Sequence, residues 1–342
     1  MSIREGLSVP KRLGVVLVTA IVAVFLLVSC SSGGGKGGKG EGGSAESAEE
    51  YPSQEIREIV PYAAGGPTDL AGRGIAAYFE EALGQPVVVE NQEGASATIG
   101  TTELVNSEPN GYTLEMATTS PLVLVPLLEN LPYDKDDVET ICVTIQTPAV
   151  LAVRQDSEYE TAEEFLEAAQ ANPGTLSVAL PGANTPQGVE LQRLADEYGI
   201  VVTPVPFDGD SEAVAALLGG NVDALFDPAG DVVFDRIESG EFRALAVGSP
   251  EPVPYLPDVP TLAELGYETL TLSTSTYGLV APKSTPSDII SELESTCQAA
   301  LEDPETREQI GERYIPGQFI GSEEFRTLLD ETWETYEPIL GG

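Results

Sequence analysis

Ile59-Val60-Pro61-Tyr62-Ala63-Ala64-Gly65-Gly66-Pro67-Thr68-Asp69 reads as an apolar strand end that runs through a tight Gly-Gly turn into a helix. Ala71, Ile75, Tyr78, Phe79 and Ala82 then recur at helical spacing, which extends the helix over 68–83. Paired glycines let backbone N–H groups crowd together with no Cβ in the way. The first helical turn leaves about four such donors unpaired beside the positive end of its dipole. Such a seat favours an anion or a polar oxygen, although Gly-Gly before a helix also occurs as a plain turn.

Further segments follow the same plan. Gly94-Ala95-Ser96-Ala97-Thr98-Ile99-Gly100 comes after the strand Val87–Glu90 and opens a helix from about Ala97 to Asn106. Its Ser96 and Thr98 add side-chain donors, while Ser96 also fits a bare N-cap. Gly182-Ala183-Asn184-Thr185-Pro186 offers small residues, a hydroxyl N-cap and Pro at the first helical position, with Asn184 or Thr185 free to face a cleft. Ala224-Leu225-Phe226-Asp227 ends a strand at the edge where α/β sheets place ligands. Asp227 reads there either as orderer of a loop or water, or as a cap on the next turn. Thr118-Thr119-Ser120 and Ser273-Thr274-Ser275-Thr276 read equally as cleft lining and as turn chemistry. Arg73, the base nearest the opening loops, is expected to face solvent.

Outward from these loops, apolar strand-like runs alternate with helical patterns, which argues for an α/β chain with largely parallel sheets. A length of 342 residues suggests two domains. Pro148 to Val153 runs into Arg154-Gln155-Asp156-Ser157 as a crossing between them, and Gly248 to Pro260 holds five prolines and is read as irregular. Phe325, Leu328, Leu329, Trp333, Tyr336 and Leu340 make one stripe on the last helix, fit for packing on a sheet.

The chain is strongly acidic, with 56 Asp and Glu against 16 Lys and Arg and a net charge of −40. Nucleic acid and anionic lipid are therefore poor partners, and most carboxylates read as solvated surface suited to salty surroundings. No Asp-rich loop has calcium-site spacing. With His at 0, Ser-His-Asp and Cys-His catalysis and every histidine-ligated metal site are excluded. Gly72-Arg73-Gly74-Ile75-Ala76-Ala77 fits a loose dinucleotide fingerprint but lies inside the helix, where the fingerprint needs the strand-to-helix turn. No Gly-Lys-Ser/Thr occurs. Catalytic residues, metal and cofactor are all expected to be none.

Residues 1–29 carry Arg4, Lys11 and Arg12 ahead of an apolar run, as a secretory signal does. Leu27-Val28-Ser29-Cys30 resembles a lipobox, which would make Cys30 the lipid-modified first residue of a mature lipoprotein. Residues 30–51, rich in Gly, Ser and Glu, read as a flexible tether. Cys142 and Cys297 are left; they can form one disulfide, or simply be buried, Cys142 within an apolar strand.

Together with Gly84-Gln85-Pro86-Val87-Val88-Val89-Glu90-Asn91, Pro109-Asn110-Gly111-Tyr112-Thr113-Leu114, Leu217-Leu218-Gly219-Gly220-Asn221-Val222-Asp223 and Leu256-Pro257-Asp258-Val259-Pro260-Thr261, the chain resembles the substrate-binding proteins of tripartite tricarboxylate transporters, the Bug family. The match runs from about Ile56 to the C-terminus. It implies a type II periplasmic-binding-protein-like fold, with lobe 1 from 52–150 and 271–342, lobe 2 from 151–270, and a ligand cleft between them. It also implies an extracytoplasmic monomeric receptor, not an enzyme, that passes a small carboxylate, a di- or tricarboxylate or related organic acid, to a large and a small membrane subunit. The ligand-binding set is then Tyr62, Ala63, Ala64, Gly65, Gly66, Thr68, Asp69, Gly94, Ala95, Ser96, Ala97, Thr98, Thr119, Gly182, Asn184, Thr185 and Asp227. Two departures stand out: Gly188 where the family commonly has His, and Phe207-Asp208-Gly209 in place of Tyr-Lys-Gly. A surface-anchored hydrolase using paired carboxylates and a ligand sensor using the same cleft are the alternatives.

Overall fold

The computed structural model describes residues 51–207 and 209–340. The signal segment 1–29, Cys30, nearly all of the tether and Asp208 lie outside the described residues.

The first sheet contains β1 (Ile56–Val60), β2 (Val87–Asn91), β3 (Thr113–Thr118), β4 (Val138–Thr147) and β10 (Ser275–Pro282), in the order β2-β1-β3-β10-β4. β1 pairs in parallel with β2 and β3, whereas β10 runs antiparallel to β3 and β4. The second sheet contains β5 (Ala149–Arg154), β6 (Ser177–Leu180), β7 (Thr203–Pro206), β8 (Ala224–Pro228) and β9 (Phe242–Val247), in the order β7-β6-β8-β5-β9. β6 is parallel to β7 and β8, and β5 is antiparallel to β8 and β9. Each sheet is thus mostly parallel with one reversed strand. Those two strands, β5 and β10, are where the chain passes between sheets: Pro148 alone separates β4 from β5, and Leu270 to Thr274 leads back into β10.

Helices cover both faces of each sheet, because every parallel connection needs a crossover. α1 (Pro67–Leu83) joins β1 to β2, and α2 (Thr98–Val105) joins β2 to β3. A π-turn over Ser120–Leu124 and the short α3 (Val125–Leu128) follow β3. Around the second sheet stand α4 (Ala162–Ala171), α5 (Pro186–Tyr198), α6 (Asp210–Leu218) and α7 (Asp231–Glu238). The chain ends with α8 (Ser287–Glu302), α9 (Pro304–Ile310) and α10 (Ser322–Leu340).

Alternation along β1 shows why these helices stay. Ile56 and Val60 pack with Ile75 and Phe79 of α1, while Ile59 faces Leu104 of α2 and Phe325, Leu329 and Tyr336 of α10. Burial of each such side chain stabilises the fold by roughly 1.5–3 kcal/mol. Leu328 and Trp333, from the same stripe on α10, are only half-buried at its margin. Phe226 on β8 packs with Phe165 and Leu166 of α4, and Leu225 turns to Ala213, Val214 and Leu217 of α6. Cys142 of β4 and Cys297 of α8 form a disulfide, which settles the alternatives left by sequence.

Two elements depart from the sequence reading. α7 has too few residues for its apolar positions to stand out, and a buried Val233 is its main core contact. Leu270 to Thr274, whose sequence runs on into β10 with no break signal, lies outside that strand. There Leu272 O accepts from Tyr336, and Ser273 O accepts from the Gln187 side chain.

Candidate functional site

The β1–α1 and β2–α2 turns emerge side by side, since β1 and β2 are parallel with Val60 opposite Asn91. Asp69 organises this end of the sheet. Its carboxylate accepts from Gly65 N (2.9 Å), Arg73 Nε (2.9 Å) and Asn91 Nδ2 (2.8 Å), and Asn91 Nδ2 also donates to Tyr62 O (3.0 Å). Burial alone would raise the Asp69 carboxyl, yet the bonds from Arg73, Gly65 and Asn91 outweigh it and hold the group below the usual range. Asp69 is 3% exposed. It shapes the turn from beneath, and the Gly65 N–H is taken up in the process. Arg73 faces solvent as expected, and from there its guanidinium reaches Asp69 and Asn91.

What the turn leaves outward is backbone. Ala63, Ala64 and Gly65 are exposed, and among the described residues the N–H groups of Ala63 and Ala64 have no acceptor. Gly65 has φ +88°, which a side chain would strain. Gly66 is the N-cap of α1 without a side-chain cap, Pro67 opens the helix, and Thr68 is buried at its first turn. Tyr62 turns inward and shares a 2.8 Å hydrogen bond with Thr118. Burial pushes its phenol up to about 12.

The second turn is held in an uncommon shape. Gly94, Ala95, Ser96 and Ala97 have φ of +126°, +49°, +54° and +72°, a run of left-handed residues. For Ala and Ser this conformation costs about 1–2 kcal/mol each. Strain of this kind collects where function requires a fixed backbone. Ala95 and Ser96 are exposed, and among the described residues their N–H groups have no acceptor. Ser96 is not the N-cap: α2 starts at Thr98 after Ala97, and the Thr98 hydroxyl donates to Ala95 O at 2.8 Å.

Opposite stands the β6–α5 turn. Thr185 caps α5, its hydroxyl accepting from Gly188 N (3.3 Å) and donating to Gly182 O (3.0 Å). Ser120, just after β3, donates to Asn184 O at 2.8 Å, so the end of the first sheet touches this turn directly. Thr119 beside it is buried. A Cβ placed on Gly230, which caps α7, would meet Pro67 at 3.5 Å, a second approach between the two sheets' loops. Gly188 is explained by packing. A Cβ there would stand 2.4 Å from Ala183 O, so a side chain such as His requires a different β6–α5 turn.

Asp227, at the end of β8, is fully buried, and neither carboxyl oxygen has a partner among the described residues. Its neighbour is Asp210 at the start of α6, which the sequence reading did not single out. Asn91 and Asp210 are the site residues that patterns missed, whereas Ser120 stood within a polar run that read two ways. A single polar residue at a strand or helix end carries no periodic signal.

Two cavities lie elsewhere. One of about 20 Å³ is enclosed by Phe165, Leu191, Phe226 and other core residues, and an open groove of about 570 Å³ runs past Asp231, Pro304 and Arg313. Neither is lined by the glycine turns. Among the described residues no group of His, Cys, Asp and Glu is placed to hold a metal, and no helix is long and apolar enough to cross a membrane.

A family profile described as "Tripartite tricarboxylate transporter family receptor" matches residues 71–340. The chain belongs to this family. BugT of Bordetella pertussis is 34% identical over 257 residues, 74% of this chain and 78% of BugT. A solved structure described as a periplasmic transporter superposes with a TM-score of 0.76 at 33% identity, over 84% of this chain and 97% of its own. MatC of Rhodopseudomonas palustris, solved with malate bound, superposes with a TM-score of 0.75 at 27% identity, over 85% of this chain and 100% of MatC. The two mixed sheets are accordingly the two lobes of a periplasmic-binding-protein-like, tripartite-tricarboxylate-type receptor. The profile begins at Ala71, downstream of the β1–α1 turn, so that turn stands on its own geometry.

Proposed function

We propose that this chain is the solute-capturing receptor of a tripartite tricarboxylate-type transporter, non-catalytic and held outside the cell membrane through a lipid on Cys30. Lobe 1 comprises 52–150 and 271–342, and lobe 2 comprises 151–270. A small carboxylate-bearing solute is taken between the turns at Tyr62–Gly66, Gly94–Thr98 and Gly182–Thr185 and handed, by a monomer, to the large and small membrane subunits.

The observation that carries this reading is the set of exposed backbone donors at Ala63, Ala64, Ala95 and Ser96, held in shape by Asp69 and by the left-handed run. Uncharged donors suffice because closure excludes water and strengthens each hydrogen bond. That MatC was solved with malate bound agrees with a carboxylate-bearing solute. A hydrolase would need both members of a carboxyl pair open to substrate, and Asp227 is buried behind Asp210.

Thermal denaturation with a panel of amino acids and of mono-, di- and tricarboxylates tests the reading. One chemical class should raise the melting temperature in proportion to its concentration and be recovered intact. Turnover of any panel member would overturn it in favour of an enzyme.

A further inference from the structure

Asp210 opens α6, half-buried, with its carboxylate accepting its own backbone N–H. α6 packs on β8, whose Asp227 meets Asp210 side chain to side chain. Two carboxylates this close and this dry do not both ionise. A proton on Asp227, donated to Asp210, removes the repulsion and also gives the orphaned Asp227 oxygens their partner. Burial and the Asp210 charge push Asp227 well up, while burial pushes Asp210 only to about 6, because the bond from Asp227 favours its ionised form. The charge therefore resides on Asp210, beside the positive end of α6.

The consequence is a reversal of polarity on one wall of the site. A helix start that would otherwise receive an anion is filled by the chain's own carboxylate. Phe207 N donates to Leu180 O at 2.9 Å, so the β7–α6 turn that leads into Asp210 lies beside the β6–α5 turn, whose Asn184 O accepts from Ser120 of the first lobe. Burial raises the phenols of Tyr62 and Tyr277 there, and the Asp210 charge adds to it. Glu115 lies behind Tyr62 and adds no positive charge. Arg73, the base nearest the turns, is engaged by Asp69 and Asn91.

We propose that Asp210, backed by Asp227, is the specificity-determining group of the second lobe, and that the solute is a zwitterion with its carboxylate on the first-lobe amides and an ammonium at Asp210. This rests on the receptor reading above and names its substrate class. A second carboxylate at that wall meets a like charge, which rejects di- and tricarboxylates that carry no ammonium, by repulsion as well as by lack of attraction. A chain of net charge −40 also repels a polyanion at a distance but leaves a zwitterion unopposed.

The test is calorimetric binding at pH 7 with pairs matched in length, L-glutamate and 5-aminopentanoate against glutarate, with malate and citrate alongside. The wild-type protein should prefer one of the amino-bearing compounds at least tenfold over glutarate. Asp210→Asn should remove that preference and Asp210→Glu should keep part of it, with circular dichroism confirming that each variant is folded. Should Asp210→Asn fail to fold, Asp227→Asn, which retains the charge on Asp210, should keep the amino preference. Tighter binding of glutarate, malate or citrate by the wild type overturns the assignment and leaves the receptor reading standing. Binding of no compound overturns both.

Discussion

Ser120 Oγ donates to Asn184 O at 2.8 Å, so a residue just after the third strand of one lobe is bonded to the turn opening a helix of the other. This bond exists only while the lobes are together. A hydrogen bond of this type contributes about 0.5–1.5 kcal/mol. Ser120→Ala should accordingly raise the Kd of the bound solute by roughly 2- to 12-fold, mainly through faster release, which stopped-flow dissociation would register. An unchanged off-rate would mean that the contact contributes nothing to capture.

Gly188 touches backbone. A Cβ 2.4 Å from Ala183 O forces the turn at 182–184 to move, and overpacking of that kind costs about 1–3 kcal/mol. Gly188→Ala should lower the urea midpoint without altering the slope.

The left-handed run predicts the opposite sign. Ala95 is exposed at φ +49°, where glycine is unstrained, so Ala95→Gly should be neutral or stabilising by up to about 1 kcal/mol. A marked loss of stability in a thermal melt would contradict the strained geometry.

Glu115 is fully buried on β3, accepts from Thr101 at 2.7 Å, and is pushed up to about 8 by burial. Below about pH 4.5 the acid is neutral in the folded and unfolded states alike, and its contribution to stability is fully present. As pH rises from there through 8 the unfolded chain ionises first, so that contribution is progressively lost. Glu115→Gln should therefore gain stability relative to wild type as the pH is raised from 5 to 8, measured by denaturant titration at each pH.

Strands and crossovers were readable because their cause is local and repeated. Ile56, Ile59 and Val60 are apolar where one strand needs two covered faces, and Phe325, Leu329 and Tyr336 recur on one side of the last helix. The glycine turns were readable as well, since Gly65 and Gly94 mark positive φ. What escaped was decided by partners distant in sequence. Nothing near Asp69 announces that Asn91 will share it, and Asp210 becomes unusual only once Asp227 is folded against it. Ala95 to Ala97 carry no left-handed preference of their own, so their shape is imposed by the structure around them.

The disulfide gives the molecule one more property. Cys142 and Cys297 are 155 positions apart, and every strand of the second sheet falls between them. The second lobe is thus a closed covalent ring. A protease that nicks any connection inside that ring, including the proline-rich passage 248–260, leaves both pieces attached. Such damage would pass unseen on a non-reducing gel and show as two fragments only after the thiols are freed.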